Sequence, residues 1–491
     1  MKREHGKEQP YIAAGPFKIR VPFIHVGFEK VDFMQGLLLC AVCLGMIPIL
    51  QEYLGMPFEV AMTIVVINGL LYFLHITLGD PIIPGWITPA IPIVILYLNQ
   101  YEIGPERVHA LIAFQISLGV LAILLGVAGL GQRVASIVPD AMKSGIIIGA
   151  GIAAVNSVLV DGGRFEQAPI SIVICTGVGF YLLFSSHFKS QRNRNRFTQF
   201  LADLGSLPII LLAIVVGPLV GEIPWPQLEW GFTTLAFGEL FQNWTVFGLG
   251  LPPLEMFVMG LPAVVSTYII LFGDVIQAKC LLEDASKKRP DEKIDFNANR
   301  SNMIFGARNV LMGIFGPTIT LCGPLAAAMQ VVVCERFKLG PKTMDSINSG
   351  AISYRYGTLV GYFLLPIVTL VKPVLGIALA ATLLIQGFVS FRVGVTKSKT
   401  VNDLGIAGVM AAVIATKGAA LGLGAGIILC LFVNLGKSQR HESEIAAELE
   451  PSRVSDKEKA SPAKAISSKL NPVKTSPVKT TPPKTSMASS R

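Results

Sequence analysis

DPIIPGWITPAIPIVILYL, residues Asp80 to Leu98, is apolar enough for a lipid bilayer yet carries proline at 81, 84, 89 and 92. Each proline removes a backbone donor and clashes with the preceding turn, so no single helix can run through the stretch. The pattern predicts an extended lead-in over Ile82 to Trp86, then a short helix opening near Thr88 or Pro89. Thr88 is placed to cap it and proline suits its first turn. Lipid cannot satisfy broken backbone, so such a stretch is buried in protein or lines a cavity. That makes it a candidate substrate site. The competing reading is a surface loop followed by a short interfacial helix.

Composition sets the class. Hydrophobic residues make up 52% of the 491 residues and charged residues 15%, with a mean hydropathy of +0.59. These values predict an all-α polytopic membrane protein. No cleavable signal is expected, since Met1 to Arg20 is polar and basic with no apolar core before any cleavage site. The net charge of +9 resides in connections and tail, which points to membrane topology and anionic lipid rather than nucleic acid. Seven cysteines show no metal-ligand spacing; Cys40 and Cys43 read as small packing residues inside a helix. Neither a metal nor a cofactor is expected. The segments carry no H-E-x-x-H, no P-loop and no nucleophile motif, so no enzyme activity is expected.

With about 20 apolar residues as the spanning length, the chain divides into about fourteen segments. Segments 1–7 run 33–51, 58–79, 82–98, 108–130, 135–158, 168–186 and 205–221. Segments 8–14 run 254–278, 301–315, 318–334, 352–371, 373–391, 402–415 and 417–436. The even-numbered connections carry Arg133; Lys189, Arg192, Arg194 and Arg196; Lys279, Lys287, Lys288, Arg289 and Lys293; Arg336, Lys338 and Lys342; Arg392, Lys397 and Lys399. The odd ones carry little beyond Arg107, Arg164, Lys372 and Lys417. This asymmetry predicts that both termini are cytoplasmic, in a cell (inner) membrane. The connection before segment 8, with Trp225, Trp230 and Trp244, then lies outside along the interface.

The halves echo each other. Segment 10, like segment 3, is short and follows a break, Gly316-Pro317-Thr318 to Cys322-Gly323-Pro324. Seven segments per half invert the second repeat, and paired interrupted segments mark a midplane binding site. Two converging helix N-termini offer free backbone donors and partial positive charge, which suits an anion. Thr88, Thr318 and Thr320 add hydroxyls; Thr88 and Thr318 could equally be caps. Asp274, toward the inner half of segment 8, is the most informative ionisable residue, because acids inside a membrane usually face a cavity or partner. It is the candidate coupling-ion site, for H+ or a cation. Gln51 and Glu52 end segment 1 near the outer mouth, where Gln51 could donate to substrate and Glu52 reads as solvated. Lys143 is expected to snorkel to the inner interface, and His75 and His109 to be structural.

In these features the chain resembles the seven-plus-seven inverted-repeat transporters that include uracil and xanthine permeases, sulfate permeases and anion exchangers. The resemblance covers roughly residues 30 to 437. It rests on Asn68-Gly69-Leu70-Leu71-Tyr72 before Ile83-Pro84, Val138-Pro139, Leu261-Pro262-Ala263, Gly273-Asp274 and Gly313-Ile314-Phe315-Gly316. Order and spacing match the uracil-permease branch best. The resemblance implies a core of segments 1–4 and 8–11, a gate of segments 5–7 and 12–14, elevator-like movement and a homodimer. It also implies substrate between segments 3 and 10, at Thr88, Pro89, Ala90, Ile91, Thr318, Ile319, Thr320, Leu321 and Cys322, contacted by Gln51 and Ile270. The nucleobase permeases carry acids where this chain has Ile270 and Leu325, and the uracil permease has a histidine where Asp274 stands. The expectation is therefore a secondary transporter of a small anionic or heterocyclic solute, coupled to H+ or Na+. The alternative is an anion exchanger, a sulfate-permease-like carrier or an anion channel. The expected organisation is an N-terminal segment 1–30, repeats 31–222 and 254–437 joined by 223–253, and a disordered basic tail 438–491.

Overall fold

Proline and glycine decide where the helices of this chain break. The computed structural model describes residues 4–130, 138–191, 198, 201 and 207–434. Arg133, Arg192, Arg194, Arg196 and the tail 438–491 lie outside the described residues. Segment 1 is Lys30–Leu44 continued past Gly45 by Met46–Leu54. Segment 2 is Phe58–Leu71, which bends at Tyr72 into Phe73–Thr77. Segments 4 to 7 are Pro105–Val127, Asp140–Leu159, Pro169–Phe184 and Leu207–Leu219. Proline stands at the start of segments 4 and 6, where its missing N–H has no helical partner to lose. Two short helices, Phe237–Asn243 and Val246–Leu249, lie in the connection to segment 8, with Trp225 and Trp230 exposed.

Segment 8 is Leu254–Lys288 and runs ten residues past its expected end at Ala278. At 1.5 Å per residue, such a helix outreaches a hydrocarbon core of about 30 Å. Segment 9, Ala298–Phe315, is capped by the Asn297 side chain, and segment 11, Ile347–Phe363 with Leu365–Val371, by Ser346. Segments 12 to 14 are Leu375–Lys397, Val401–Lys417 and Ala419–Asn434. The fold is an all-α, multi-pass membrane architecture with one small exception. Strands Ile12–Ala14 and Phe17–Ile19 form an antiparallel hairpin near the N-terminus. This hairpin is tied down by Lys18 N–H to Leu78 O (3.2 Å) and Arg20 N–H to Thr77 O (2.8 Å), at the end of segment 2. Lys18 also bridges Glu8 and Asp295, each at 2.6 Å.

Segments 3 and 10 depart furthest from regular helix. Segment 3 is extended until a single 3-10 turn, Thr88–Ala90, feeds the helix Ile91–Leu98. Segment 10 has no helix until Ala327–Lys338, so it begins well after the expected Thr318. The two extended stretches cross as an antiparallel bridge, with Gly85 N–H to Gly323 O at 3.2 Å and Gly323 N–H to Gly85 O at 2.9 Å. Ile87 N–H to Thr320 O (3.1 Å) and Ala326 N–H to Ile83 O (2.7 Å) extend the ladder on either side. Both helices therefore start within a few residues of one crossing and leave it in opposite directions.

Around this crossing, segment 4 packs on 8 and 9, segment 1 on 11, and segment 10 on 8 and 11. Segments 5, 12 and 13 pack together, with 6 and 7 against 12. The two groups meet where segment 3 touches 5 and segment 1 touches 7. Close approach depends on glycine: a Cβ on Gly119 would lie 2.6 Å from Gly306 O, and one on Gly306 2.7 Å from Gly119 O. Small residues at such contacts let helix backbones meet, which is how membrane helices gain packing energy.

The crossing itself admits no side chain at its centre. A Cβ on Gly323 would sit 2.7 Å from Trp86 O and one on Gly85 2.9 Å from Leu325 O. Gly323→Ala should cost about 1–3 kcal/mol, typical of overpacking. The expected readout is a lowered Tm in detergent, while Gly177→Ala, with open space around it, does not lower Tm. An unchanged Tm for Gly323→Ala would contradict the crossing.

Candidate functional site

An extended backbone inside a membrane protein needs partners for every N–H and C=O. The ladder supplies some; side chains supply the rest. Gln115, from segment 4, accepts from Thr318 N–H (2.9 Å), and Gln330, from segment 10, accepts from Ile83 N–H (2.7 Å). Asn309, from segment 9, accepts from Cys322 N–H (2.9 Å) and donates to Cys322 O (2.8 Å). All three side chains are fully buried. Thr318 and Thr320 share a hydroxyl–hydroxyl bond of 3.0 Å, and Leu321 between them and the bridge has φ +53°. Left-handed backbone is costly for a leucine and persists where the surroundings over-determine it, commonly at ligand sites.

Two arginines hold the crossing, one on each of its strands. Arg308, on segment 9, donates to Gly323 O at 3.0 Å and to Asn68 Oδ1 at 3.2 Å. Arg355, on segment 11, donates to Pro84 O. Both guanidinium groups lie over the Tyr72 ring, at 4.8 and 3.9 Å from its centroid, a cation–π arrangement that steadies each of them. Neither meets a carboxylate directly among the described residues. The nearest acid in the network is Asp80, whose Oδ2 lies 2.9 Å from His75 Nδ1, while His75 Nε2 lies 3.2 Å from Arg308 Nη1. All four residues are buried to within 1%. Arg308 Nε and Arg355 Nε and Nη1 have no hydrogen-bond partner among the described residues. Two buried cations against one carboxylate leave a positive site with spare donors, the chemistry that binds an anion.

The crossing joins the stretches that carry Thr88 to Ile91 and Thr318 to Cys322, through Ile87 N–H to Thr320 O. Ala90, Ile91, Ile270, Thr318, Ile319, Thr320, Leu321 and Cys322 are buried, and Thr88 and Pro89 are half-buried at the start of segment 3. Thr88 does not cap, since Ile87 occupies the cap position and no side chain closes that turn. Thr318 does not cap either, because its helix starts only at Ala327. Gln51 is exposed in the last turn of Met46–Leu54 and does not join the cluster; its neighbour Glu52 is exposed, as expected, and pairs with Arg164. Lys143 is paired with Asp140 at 3.1 Å. Asp274 is half-buried on segment 8 and has no polar partner among the described residues. His109 is structural, with Nε2 at 3.1 Å from Leu249 O, whereas His75 belongs to the arginine network.

Arg308, Arg355, Gln115 and Gln330 went unnoticed as site residues, although a charge within an apolar segment is a functional signal by default. Where the two packing groups meet, a cavity of about 30 Å³ lies between Gly45, Trp86, Ile210, Leu379 and Thr382, room for about one water.

No protein-family model matches the sequence, and no curated protein matches it. Solved structures do. The transmembrane domain of a cyanobacterium bicarbonate transporter, BicA, aligns with a TM-score of 0.50 at 15% identity, over 82% of this chain and 97% of that one. This chain has that fold. The overall structure of SLC26A9 aligns with a TM-score of 0.52 at 13% identity, over 82% of this chain and 65% of that one. The murine Slc26a9 anion transporter in its inward-facing state aligns at 0.48 and 12% identity, over 85% of this chain and 69% of that one.

The hydrogen bonds to Cys322 give a direct check on this geometry. Asn309→Leu leaves a buried N–H and C=O unpaired, at a cost of about 1–3 kcal/mol for each group. Thermal unfolding in detergent should show a marked loss for Asn309→Leu, and a Tm equal to wild type would remove Asn309 from this role.

Proposed function

We propose that this protein is a secondary transporter of a small anion, bound where segments 3 and 10 cross. The observation that carries the reading is the set of unpartnered guanidinium donors on Arg308 and Arg355, fully buried beside two helix N-termini. The bicarbonate transporter among the structural neighbours supports the same ligand class. A neutral heterocycle finds less there, because Ile270 and Leu325 offer no carboxylate to hold it. That counts against the nucleobase-permease branch and for the carrier related to anion exchangers and sulfate permeases. Substrate contacts fall to Thr88, Pro89, Ala90, Ile91 and Thr318 to Cys322, with Ile270 opposite.

The proposal includes an elevator-type movement of segments 1–4 and 8–11 against segments 5–7 and 12–14. It also includes repeats 31–222 and 254–437, a homodimer, an inner-membrane location and cytoplasmic termini. Transport is coupled to H+ or Na+, with Asp274 as the coupling residue carried from the sequence. A channel with the same fold is the second reading, favoured by the spare positive charge in the interior.

Reconstitution tests these points. Saturable counterflow of labelled anion is expected in proteoliposomes; ion currents far above carrier rates would establish the channel instead. Arg355→Gln removes a charge-assisted contact worth about 1.5–3 kcal/mol, so anion affinity should fall about 10- to 100-fold. Thr88→Leu and Thr320→Leu should weaken affinity in folded protein, and wild-type affinity in both would move the site elsewhere. Asp274→Asn should abolish accumulation yet retain exchange; pH- and Na+-dependent accumulation like wild type would take Asp274 out of the coupling.

A further inference from the structure

We infer that His75 and Asp80 form a proton site that is switched by the anion through Arg308. The inference rests on the anion-carrier reading above and adds to it a proton that loads with the anion on this pair, separate from the coupling assigned to Asp274. His75 lies in the short helix that ends segment 2, and Asp80 opens segment 3 five residues later. The Asp80 N–H also donates to His75 O at 2.7 Å, so backbone and side chains both hold the pair together. With His75 Nδ1 at 2.9 Å from Asp80 Oδ2, the imidazole donates to the carboxylate through Nδ1. Its Nε2, 3.2 Å from Arg308 Nη1, must then be the acceptor, because a guanidinium has only donors.

That arrangement admits two exclusive states. In the first, Arg308 donates to a neutral His75, and Nε2 has no lone pair free for a proton. In the second, an anion draws the Arg308 guanidinium to itself through the unpartnered Nε edge. The freed Nε2 then takes a proton from water, giving an imidazolium held by the Asp80 carboxylate. Protonation first has the same result, since an imidazolium N–H repels the Arg308 N–H and releases the guanidinium. The balance is one anion and one proton gained together, so a monovalent anion loads with no change in the charge of the buried site. A low-dielectric interior favours such compensated loading over the entry of either ion alone.

The other charged groups around His75 do not supply the proton. Arg308 on segment 9 and Arg355 on segment 11 stay cationic, with Arg355 held on Pro84 O and the Tyr72 ring. Asp80 Oδ1 has no partner among the described residues, so the carboxylate has acceptor capacity in reserve for the imidazolium.

The test uses the purified full chain and two anions that do not titrate near neutrality, nitrate and sulfate. Affinity is followed by thermal shift from pH 5.5 to 8.5, and proton uptake on nitrate addition by an indicator dye in weak buffer. Wild type should bind more tightly as pH falls, by up to about tenfold per pH unit for one linked proton, and should take up about one proton per nitrate. His75→Gln keeps an acceptor for Arg308 but cannot titrate, and Asp80→Asn removes the counter-charge. Both should bind nitrate with a flat pH profile and no proton uptake, while His109→Gln, a histidine outside this network beside Leu249 O, keeps the wild-type profile. A profile that persists in His75→Gln and Asp80→Asn, or one lost in His109→Gln alone, overturns the proton site while leaving the anion carrier standing. A wild type that binds neither anion at any pH overturns both.

Discussion

A two-residue antiparallel bridge, Gly85 with Gly323, is the constraint on which the other features depend. It places non-helical backbone from distant parts of the chain side by side in the interior of a membrane protein. No lipid can satisfy such backbone, so the neighbouring helices must. Gln115, Gln330 and Asn309 are fully buried polar side chains whose visible work is to complete hydrogen bonds that helix or sheet would otherwise provide. The same need explains the two glycines, since any Cβ there would enter the facing backbone.

Electrostatics follows from that geometry. Arg308 and Arg355 each give one donor to a carbonyl of the crossing, and both lean on Tyr72. A guanidinium has five donors in a fixed fork, so structural duty leaves capacity for a ligand. Structural support and anion recognition can therefore reside in the same side chains. The cost of burying two like charges is moderated by the ring face and by Asp80 acting through His75. An anion would relieve the remainder, which gives a thermodynamic reason for binding at this place.

Around the crossing, two sets of helices are built differently from each other. The set holding Arg308 and Arg355 is stitched by polar side chains and by the glycine contact of segments 4 and 9. Segments 5, 12 and 13 meet mainly through small and apolar residues: a Cβ on Gly145 would touch Met410, and one on Gly394 would touch Ile148. The N-terminal hairpin adds a clamp across the end of segment 2, close to the His75–Asp80 pair. Local order at this end of the molecule therefore depends on residues that precede the first membrane segment.

Local chemistry made much of this legible in the sequence alone. Prolines at 81, 84, 89 and 92 marked segment 3 as broken, Gly316-Pro317 and Gly323-Pro324 marked segment 10, and apolar run lengths located the remaining helices, though segment 8 continues ten residues beyond its run. These are properties of the residue and its near neighbours, so no fold is needed to read them. The helix start at Ala327 was not legible, because Thr318 to Ala326 stay extended only while segment 3 and Asn309 hold them. Gln51 looked like a ligand by position and faces outward, since the side of a helix that is buried depends on its neighbours. Arg308, Arg355 and the neighbouring pair His75 and Asp80 come from three different stretches of chain, and only tertiary packing brings these around one tyrosine ring and one backbone crossing. The sequence by itself determined where the backbone breaks; the tertiary structure decided which charges meet there, because charge acts through space rather than along the chain.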